Sequence, residues 1–272
     1  MDQAHTRTVR SVAWSIDGEY LASAGFDGTI AVWTPSVEDW ECVATLEGHE
    51  NEAKSVAFSA DGQYLATCGR DKSVWVWQML ENDEFECVSV LQEHAQDVKR
   101  VLWHPTRTIL FSCSYDDTIK VYKEQMDDFV CVETLSGHAS TVWDMDMDVT
   151  GGRLVSVGAD GALCVWRHTT VTASDAVFGH APTQEWQLEH TIQNAHTRAI
   201  YSVSWSKTHG HILTGGGDNL VKLWRPHLDG WQCVEEMNVG ADVNCVKWFP
   251  TVAHANWFAV ATDDDVVSIH VM

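Results

Sequence analysis

The segment from His49 to Trp77 reads HENEAKSVAFSADGQYLATCGRDKSVWVW, and four of its positions decide the fold. They are His49, the hydroxyl of Thr67, Asp71 and Trp77. The same four points recur at the same offsets along the chain. His5, Ser23, Asp27 and Trp33 form one set, and His94, Ser112, Asp116 and Tyr122 another. His138, Ser156, Asp160 and Trp166, then His196, Thr214, Asp218 and Trp224, complete five copies. In each, the aspartate follows the histidine by 22 residues, the hydroxyl precedes the aspartate by four, and the aromatic follows it by six. Five copies of a four-point constellation mark an internal repeat.

The texture between the points is β. In the first copy Val9 to Trp14 alternates, Asp17-Gly18 turns, and Tyr20 to Ala24 is a second run. Asp27-Gly28 turns again, Thr29 to Trp33 is a third run, and Trp40 to Leu46 a fourth. Period-two runs split by Asp-Gly turns read as antiparallel strands. Four strands in ~44 residues is the size of a propeller blade. The fold class is therefore all-β, with units near 5–46, 49–91, 94–135, 138–192, 196–237 and 239–272 in one domain over 1–272. The sixth unit is eroded: Val239 replaces the histidine, Val260 the hydroxyl and His270 the tryptophan, while Asp264 remains. The segment from Arg167 to Glu185 reads as an exposed loop.

Indole N–H, hydroxyl, imidazole and carboxylate can form one chain of hydrogen bonds, satisfied only when every member is present. Ser, His and Asp also make catalytic triads, but a nucleophile site occurs once per domain and this set occurs five times. The sets are read as structural, and no unique triad, phosphate loop or metal cluster stands beside them. Lys+Arg number 17 and Asp+Glu 39, a net charge of −22, which argues against nucleic acid and anionic membrane as partners. No apolar run approaches a membrane span, and the start shows no secretory signal. Eight cysteines, none in a CxxC, point to free thiols in a reducing compartment.

Units of this size with His, Asp and Trp at these offsets resemble WD40 repeats. A second signature narrows the likeness. The fourth strands share acid–aromatic–x–Cys: Asp39-Trp40-Glu41-Cys42, Glu84-Phe85-Glu86-Cys87, Asp128-Phe129-Val130-Cys131 and, with Gly230 between, Asp229-Gly230-Trp231-Gln232-Cys233. With Leu46-Glu47-Gly48-His49 and Arg70-Asp71-Lys72-Ser73-Val74-Trp75-Val76-Trp77, the chain resembles the WD40 subunit of the cytosolic iron–sulfur protein assembly targeting complex from about Thr6 to Val271. That resemblance implies a seven-bladed propeller, of which six units are recognisable and the family's first repeat is not. It leads to the expectation of 23 strands, no outer strand in the sixth blade, and an incompletely closed array exposing the edge from Val266 to Val271, as in a truncated gene model or isoform.

The resemblance also implies a function. The family's propeller is a non-catalytic platform that joins a small subunit with a reactive cysteine, a HEAT-repeat adaptor and an iron-only-hydrogenase-like carrier, for [4Fe–4S] insertion into cytosolic and nuclear client apoproteins. No resident cofactor or metal is expected. Cys42, Cys87, Cys131 and Cys233 recur on different blades and cannot ligate one cluster, so they read as small buried hydrophobes. His209 and His211 lack a third ligand. WD40 propellers dock partners beside the residue before each repeat aspartate and just after each histidine. Those positions offer Phe26, Arg70 and Tyr115 beside Glu50, Glu52 and Asp97 in the first three units, and small residues in the rest. Aromatics and arginine dominate hot spots, and an arginine on so acidic a chain suits a carboxylate-bearing partner. The alternative for Arg70 is a solvated pair with Glu50 or Glu52. The alternative for the protein is a generic WD40 adaptor in a ubiquitin-ligase or chromatin complex.

Overall fold

The computed structural model describes residues 4–37, 39–126, 128–169 and 185–272. Glu38, Asp127 and most of the long loop read between Arg167 and Glu185 lie outside them. The described residues form 23 strands in six antiparallel sheets.

Two compact units divide the chain, Met1–Thr134 and Leu135–Met272. The first holds three four-stranded sheets: β1(Val9–Trp14) to β4(Trp40–Leu46) with β2(Leu21–Gly25) and β3(Ile30–Pro35) between; β5(Ala53–Phe58), β6(Tyr64–Gly69), β7(Val74–Met79) and β8(Phe85–Leu91); and β9(Val98–Trp103), β10(Ile109–Ser114), β11(Thr118–Gln125) and β12(Asp128–Ser136), whose last residues cross the boundary. The second unit holds β13(Val142–Met147), β14(Arg153–Gly158), β15(Leu163–His168) and β16(Trp186–Ile192); then β17(Ile200–Trp205), β18(Ile212–Gly216), β19(Leu220–His227) and β20(Gly230–Asn238). Its last sheet has three strands among the described residues, β21(Val243–Trp248), β22(Trp257–Thr262) and β23(Val267–Val271). The count of 23 strands among the described residues matches the expectation from the sequence.

Sequence chemistry explains the local shapes. The residue after each repeat aspartate is left-handed: Gly28, Lys72, Asp117, Gly161, Asn219 and Asp265 have φ between 61 and 85°. At Gly28 a Cβ would also meet the His49 carbonyl at 2.9 Å, so glycine is needed there twice over. Register shifts sit at the tetrad tryptophans, between Val32 and Trp33, Val76 and Trp77, Val165 and Trp166, and Leu223 and Trp224. Such bulges re-aim a side chain, and here they turn the indole inward.

Sheets pack through a repeated device within each unit. The second strand carries small residues and the third β-branched ones, so Ala22, Ala24, Ile30 and Val32 are buried against Val56 of the next sheet. Burying a side chain of valine size contributes about 1.5–3 kcal/mol. Backbone N–H groups of Val56, Val101 and Val246 donate to the hydroxyls of Ser11, Ser55 and Ser202 of the preceding sheet. Tyrosines add a second tie. Tyr20 donates to Asp83, in the loop before β8, at 2.5 Å, and Tyr64 to Glu124, near the end of β11, at 3.0 Å, each reaching the following sheet. The Tyr20 phenol is pushed up to about 12, first by that hydrogen bond and then by burial.

One reading is corrected. The fourth-strand cysteines are not buried: Cys42 and Cys87 are exposed, Cys131 and Cys233 half-buried. Each lies on the outermost strand, which has no further neighbour, and its thiol points at a carbonyl two residues on, 3.5–3.8 Å away. The buried thiols are Cys68, Cys113 and Cys164.

Candidate partner-docking face

The five four-point sets are hydrogen-bonded relays. His49 Nδ1 donates to Asp71 at 2.8 Å, its Nε2 accepts from Thr67 at 2.9 Å, and Trp77 Nε1 donates to Thr67 at 3.1 Å. The His5–Asp27, His94–Asp116, His138–Asp160 and His196–Asp218 distances are 3.2, 2.8, 3.0 and 2.8 Å. Their Nε2 atoms lie 2.8, 2.7, 2.8 and 2.7 Å from Ser23, Ser112, Ser156 and Thr214. Trp33, Trp166 and Trp224 donate to those hydroxyls at 2.9 Å, and the Tyr122 hydroxyl lies 3.1 Å from Ser112. Each aspartate also accepts from the backbone N–H after its histidine, at Thr6, Glu50, Ala95, Ala139 and Thr197. The relay thus pins the loop entering each sheet to the turn between its second and third strands.

Titration follows from these bonds. Burial alone would raise the five carboxyl groups, yet donated hydrogen bonds hold Asp27, Asp71, Asp116, Asp160 and Asp218 below the ordinary aspartate value of 3.8. Their stabilisation is complete above that value and is lost as pH falls below it. The imidazoles diverge. Burial opposes the charge on both His138 and His196. At His138 the Asp160 hydrogen bond and Cys164 win, raising it to about 9. At His196 burial wins, reinforced by Lys222, which stands where Cys164 stands in the preceding sheet. His138 therefore contributes stability that is complete below 6.5 and lost as pH rises through about 9. Histidine NMR titration should place His138 near 9 and His196 below 6.5; coincident titrations would contradict this electrostatic reading.

Beside the relays of the first unit lies a cluster of charge and aromatic surface. Glu52 receives Lys54 at 2.6 Å, Arg7 at 3.3 Å and Arg70 at 3.6 Å. Its carboxyl is held low, by Lys54 first. Lys54 Nζ stands 4.2 Å from the Phe26 ring centroid, and the Arg7 guanidinium 6.0 Å from it while donating to the Phe26 carbonyl. The Arg70 side chain remains 57% exposed. Tyr115, 54% exposed, has Lys99 Nζ at 5.1 Å, and Lys99 pairs with Asp97 at 3.4 Å. The structure thus joins Phe26, Glu52 and Arg70 in one group, and Tyr115 and Asp97 in another. Glu50 is exposed and enters through its backbone.

Sequence reading missed Arg7, Lys54 and Lys99. Lys54 and Lys99 each stand five residues after a relay histidine, and that offset could have found them. The equivalent residues of the second unit, Trp143 and Tyr201, instead pack edge-on at 5.6 Å. Among the described residues no group of three His, Cys, Asp or Glu is disposed to hold a metal ion. Among them, no helix is long and apolar enough to cross a membrane.

Comparison with known proteins gives the lineage. The family described as "WD domain, G-beta repeat" matches residues 2–34, 40–78, 85–123, 129–167 and 186–225. The "Probable cytosolic iron-sulfur protein assembly protein Ciao1" of Culex quinquefasciatus is 48% identical over 97% of this chain and 80% of its own length. The "Probable cytosolic iron-sulfur protein assembly protein 1" of Vanderwaltozyma polyspora is 40% identical over 98% of this chain and 82% of its own. A Schistosoma japonicum relative, "Probable cytosolic iron-sulfur protein assembly protein CIAO1 homolog", is 38% identical over 97% and 81%. Repeat matches in five of the six sheets and identities of this size over nearly the whole chain lead to one conclusion: the chain belongs to the WD40-repeat family of cytosolic iron–sulfur protein assembly proteins.

Proposed function

We propose that the protein is a non-catalytic scaffold of cytosolic iron–sulfur protein assembly. It docks a small reactive-cysteine subunit, a HEAT-repeat adaptor and an iron-only-hydrogenase-like carrier, and brings client apoproteins to them for [4Fe–4S] insertion, in the cytosol and the nucleus. The names of its relatives support the process. The observation that carries the docking role is the cluster of Phe26, Arg70, Arg7 and Lys54 around Glu52, a cationic and aromatic patch on a chain of charge −22. Arginine and aromatic side chains held half-exposed in the turns beside the strands are the material of hot spots.

Arg70→Glu tests the face. Arg70 is bound only loosely to Glu52, so the fold should survive. Capture of assembly subunits from lysate should fall about tenfold, since reversal turns an attraction into a repulsion. Undiminished capture by the folded variant would move the docking site elsewhere.

The clusters are cargo in this reading. The four fourth-strand cysteines lie on four different sheets. Protein purified without oxygen should therefore carry no stoichiometric iron, and about one cluster per chain, seen by absorbance and iron assay, would overturn the scaffold reading.

A further inference from the structure

The crevice between the fourth and fifth sheets lacks a strut that two crevices of the first unit have. Tyr20 and Tyr64 stand three residues before the relay hydroxyls of Ser23 and Thr67, and each reaches an acid of the following sheet. Tyr64 shows the socket most clearly. Its ring stacks on Trp103 at 6.0 Å and meets Phe129 edge-on at 5.3 Å. Its hydroxyl donates to Glu124, two residues past the relay residue Tyr122. Tyr20 lies in one core cluster with Phe58 and Phe85, which match Trp103 and Phe129 one sheet earlier.

In the fourth sheet the tyrosine position holds Arg153, three residues before Ser156. Arg153 is drawn back onto Glu189 of its own sheet, at 2.7 and 3.1 Å, rather than across to the fifth. The aromatic pair that would receive a tyrosine is nonetheless complete. Trp205 and Trp231 stand in the fifth sheet where Trp103 and Phe129 stand in the third, edge-on at 5.3 Å. Arg153 and this pair line a cavity of about 540 Å³, within the range of ligand pockets. At the place of Glu124 the fifth sheet has Pro226, followed by His227, and both line the cavity. Val149 and Leu228, 57 and 97% exposed, line it too. The cations around it are already paired, Arg153 with Glu189 at 2.7 Å and Lys207 with Asp146 at 2.8 Å. Asp148 takes its hydrogen bonds from its own turn, at Thr150 and Gly152.

We infer that this cavity is a tyrosine socket without a tyrosine of its own, and that it takes one from a partner polypeptide. The partner's phenol ring lies against Trp205 and Trp231, as Tyr64 lies against Trp103 and Phe129, and its hydroxyl bonds the His227 imidazole. Aliphatic residues on either side of the tyrosine cover Val149 and Leu228. Ring contacts and one buried hydrogen bond carry the recognition, so added salt, which screens exposed charges, changes it little. A second copy of this chain is the poorer occupant. Of its five tyrosines only Tyr115 is more than half exposed, and Asp116 and Asp117 follow it where the socket offers apolar surface. The site shares no residue with the Arg70 cluster, so either can fail without the other.

A fluorescein-labelled peptide with blocked ends, Gly-Ser-Leu-Tyr-Leu-Ser-Gly, should bind saturably in fluorescence anisotropy, about equally at low and high salt. Phenylalanine in place of its tryptophan-facing tyrosine should weaken binding about tenfold, since the hydrogen bond to His227 is lost. His227→Ala, at an exposed position, should erase that preference. Arg153→Tyr installs the residue that the first two sheets carry at this point, so the fold should hold, and the socket, now filled from within, should bind the peptide about tenfold more weakly or not at all. No saturable binding, equal binding by the phenylalanine peptide, a phenylalanine penalty that survives His227→Ala, or undiminished binding by the folded Arg153→Tyr variant would each overturn the inference. So would a concentration-dependent dimer that the peptide breaks, because the socket would then belong to a second copy.

Discussion

Asp71→Ala is expected to lower stability by about 3 kcal/mol, the cost of breaking a buried pair by removing one partner. The carboxylate accepts from His49 at 2.8 Å, from the Glu50 and Ser73 backbones at 3.1 Å each, and from the Ser73 hydroxyl at 2.7 Å. Alanine strands His49 above all: its side chain is only 1% exposed, so water cannot replace the lost acceptor, and the Ser73 hydroxyl at 3.3 Å is the partner left to its Nδ1. The melting temperature should fall by roughly 6–12 °C for a chain of this size. Asp264→Ala is the matched control. Asp264 occupies the same turn position but serves only the Thr262 hydroxyl, at an exposed site. Its loss should stay within about 0.5 kcal/mol. Equal losses at the two positions would show that the relay carries no stability of its own.

The relays were legible because their members cannot vary independently. Thr67 is useful only if His49 and Trp77 both reach it, so the spacing between the three is fixed by the sheet and repeats with it. The ties between sheets left no such trace. Tyr20 and Asp83 are 63 residues apart and Tyr64 and Glu124 60, because a loop carries the acid in one sheet and the end of strand β11 carries it in the other. No constant offset exists to be found. The cationic cluster was half visible. Arg70 stands out beside a relay aspartate, but Lys54 and Arg7 matter only through their convergence on Glu52, which is a property of two adjacent sheets. The cysteines misled for a related reason. Alternation tells which side of a strand a residue takes, not whether the strand has an outer neighbour. Cys42 and Cys87 sit on strands that have none.

Trp166→Ala should cost still more, about 4 kcal/mol, as expected for truncating a large buried aromatic. The indole is 3% exposed and fills the space left by Gly137, where even a methyl group would approach its ring at 2.7 Å. Removing it opens a cavity between the loop that carries His138 and the turn that carries Asp160. It also takes the donor from Ser156, which must then satisfy His138 alone. Trp166→Phe separates the two effects. Phenylalanine keeps much of the packing and loses the N–H, so its cost should be nearer the ~1 kcal/mol of a single hydrogen bond. Nature supplies a parallel in Tyr122, which holds the same place with a hydroxyl 3.1 Å from Ser112. Denaturant unfolding of the two variants, with hydrogen exchange to locate the weakened sheet, reads the difference. If the Phe and Ala variants lose the same amount, the indole acts through its hydrogen bond and not its volume.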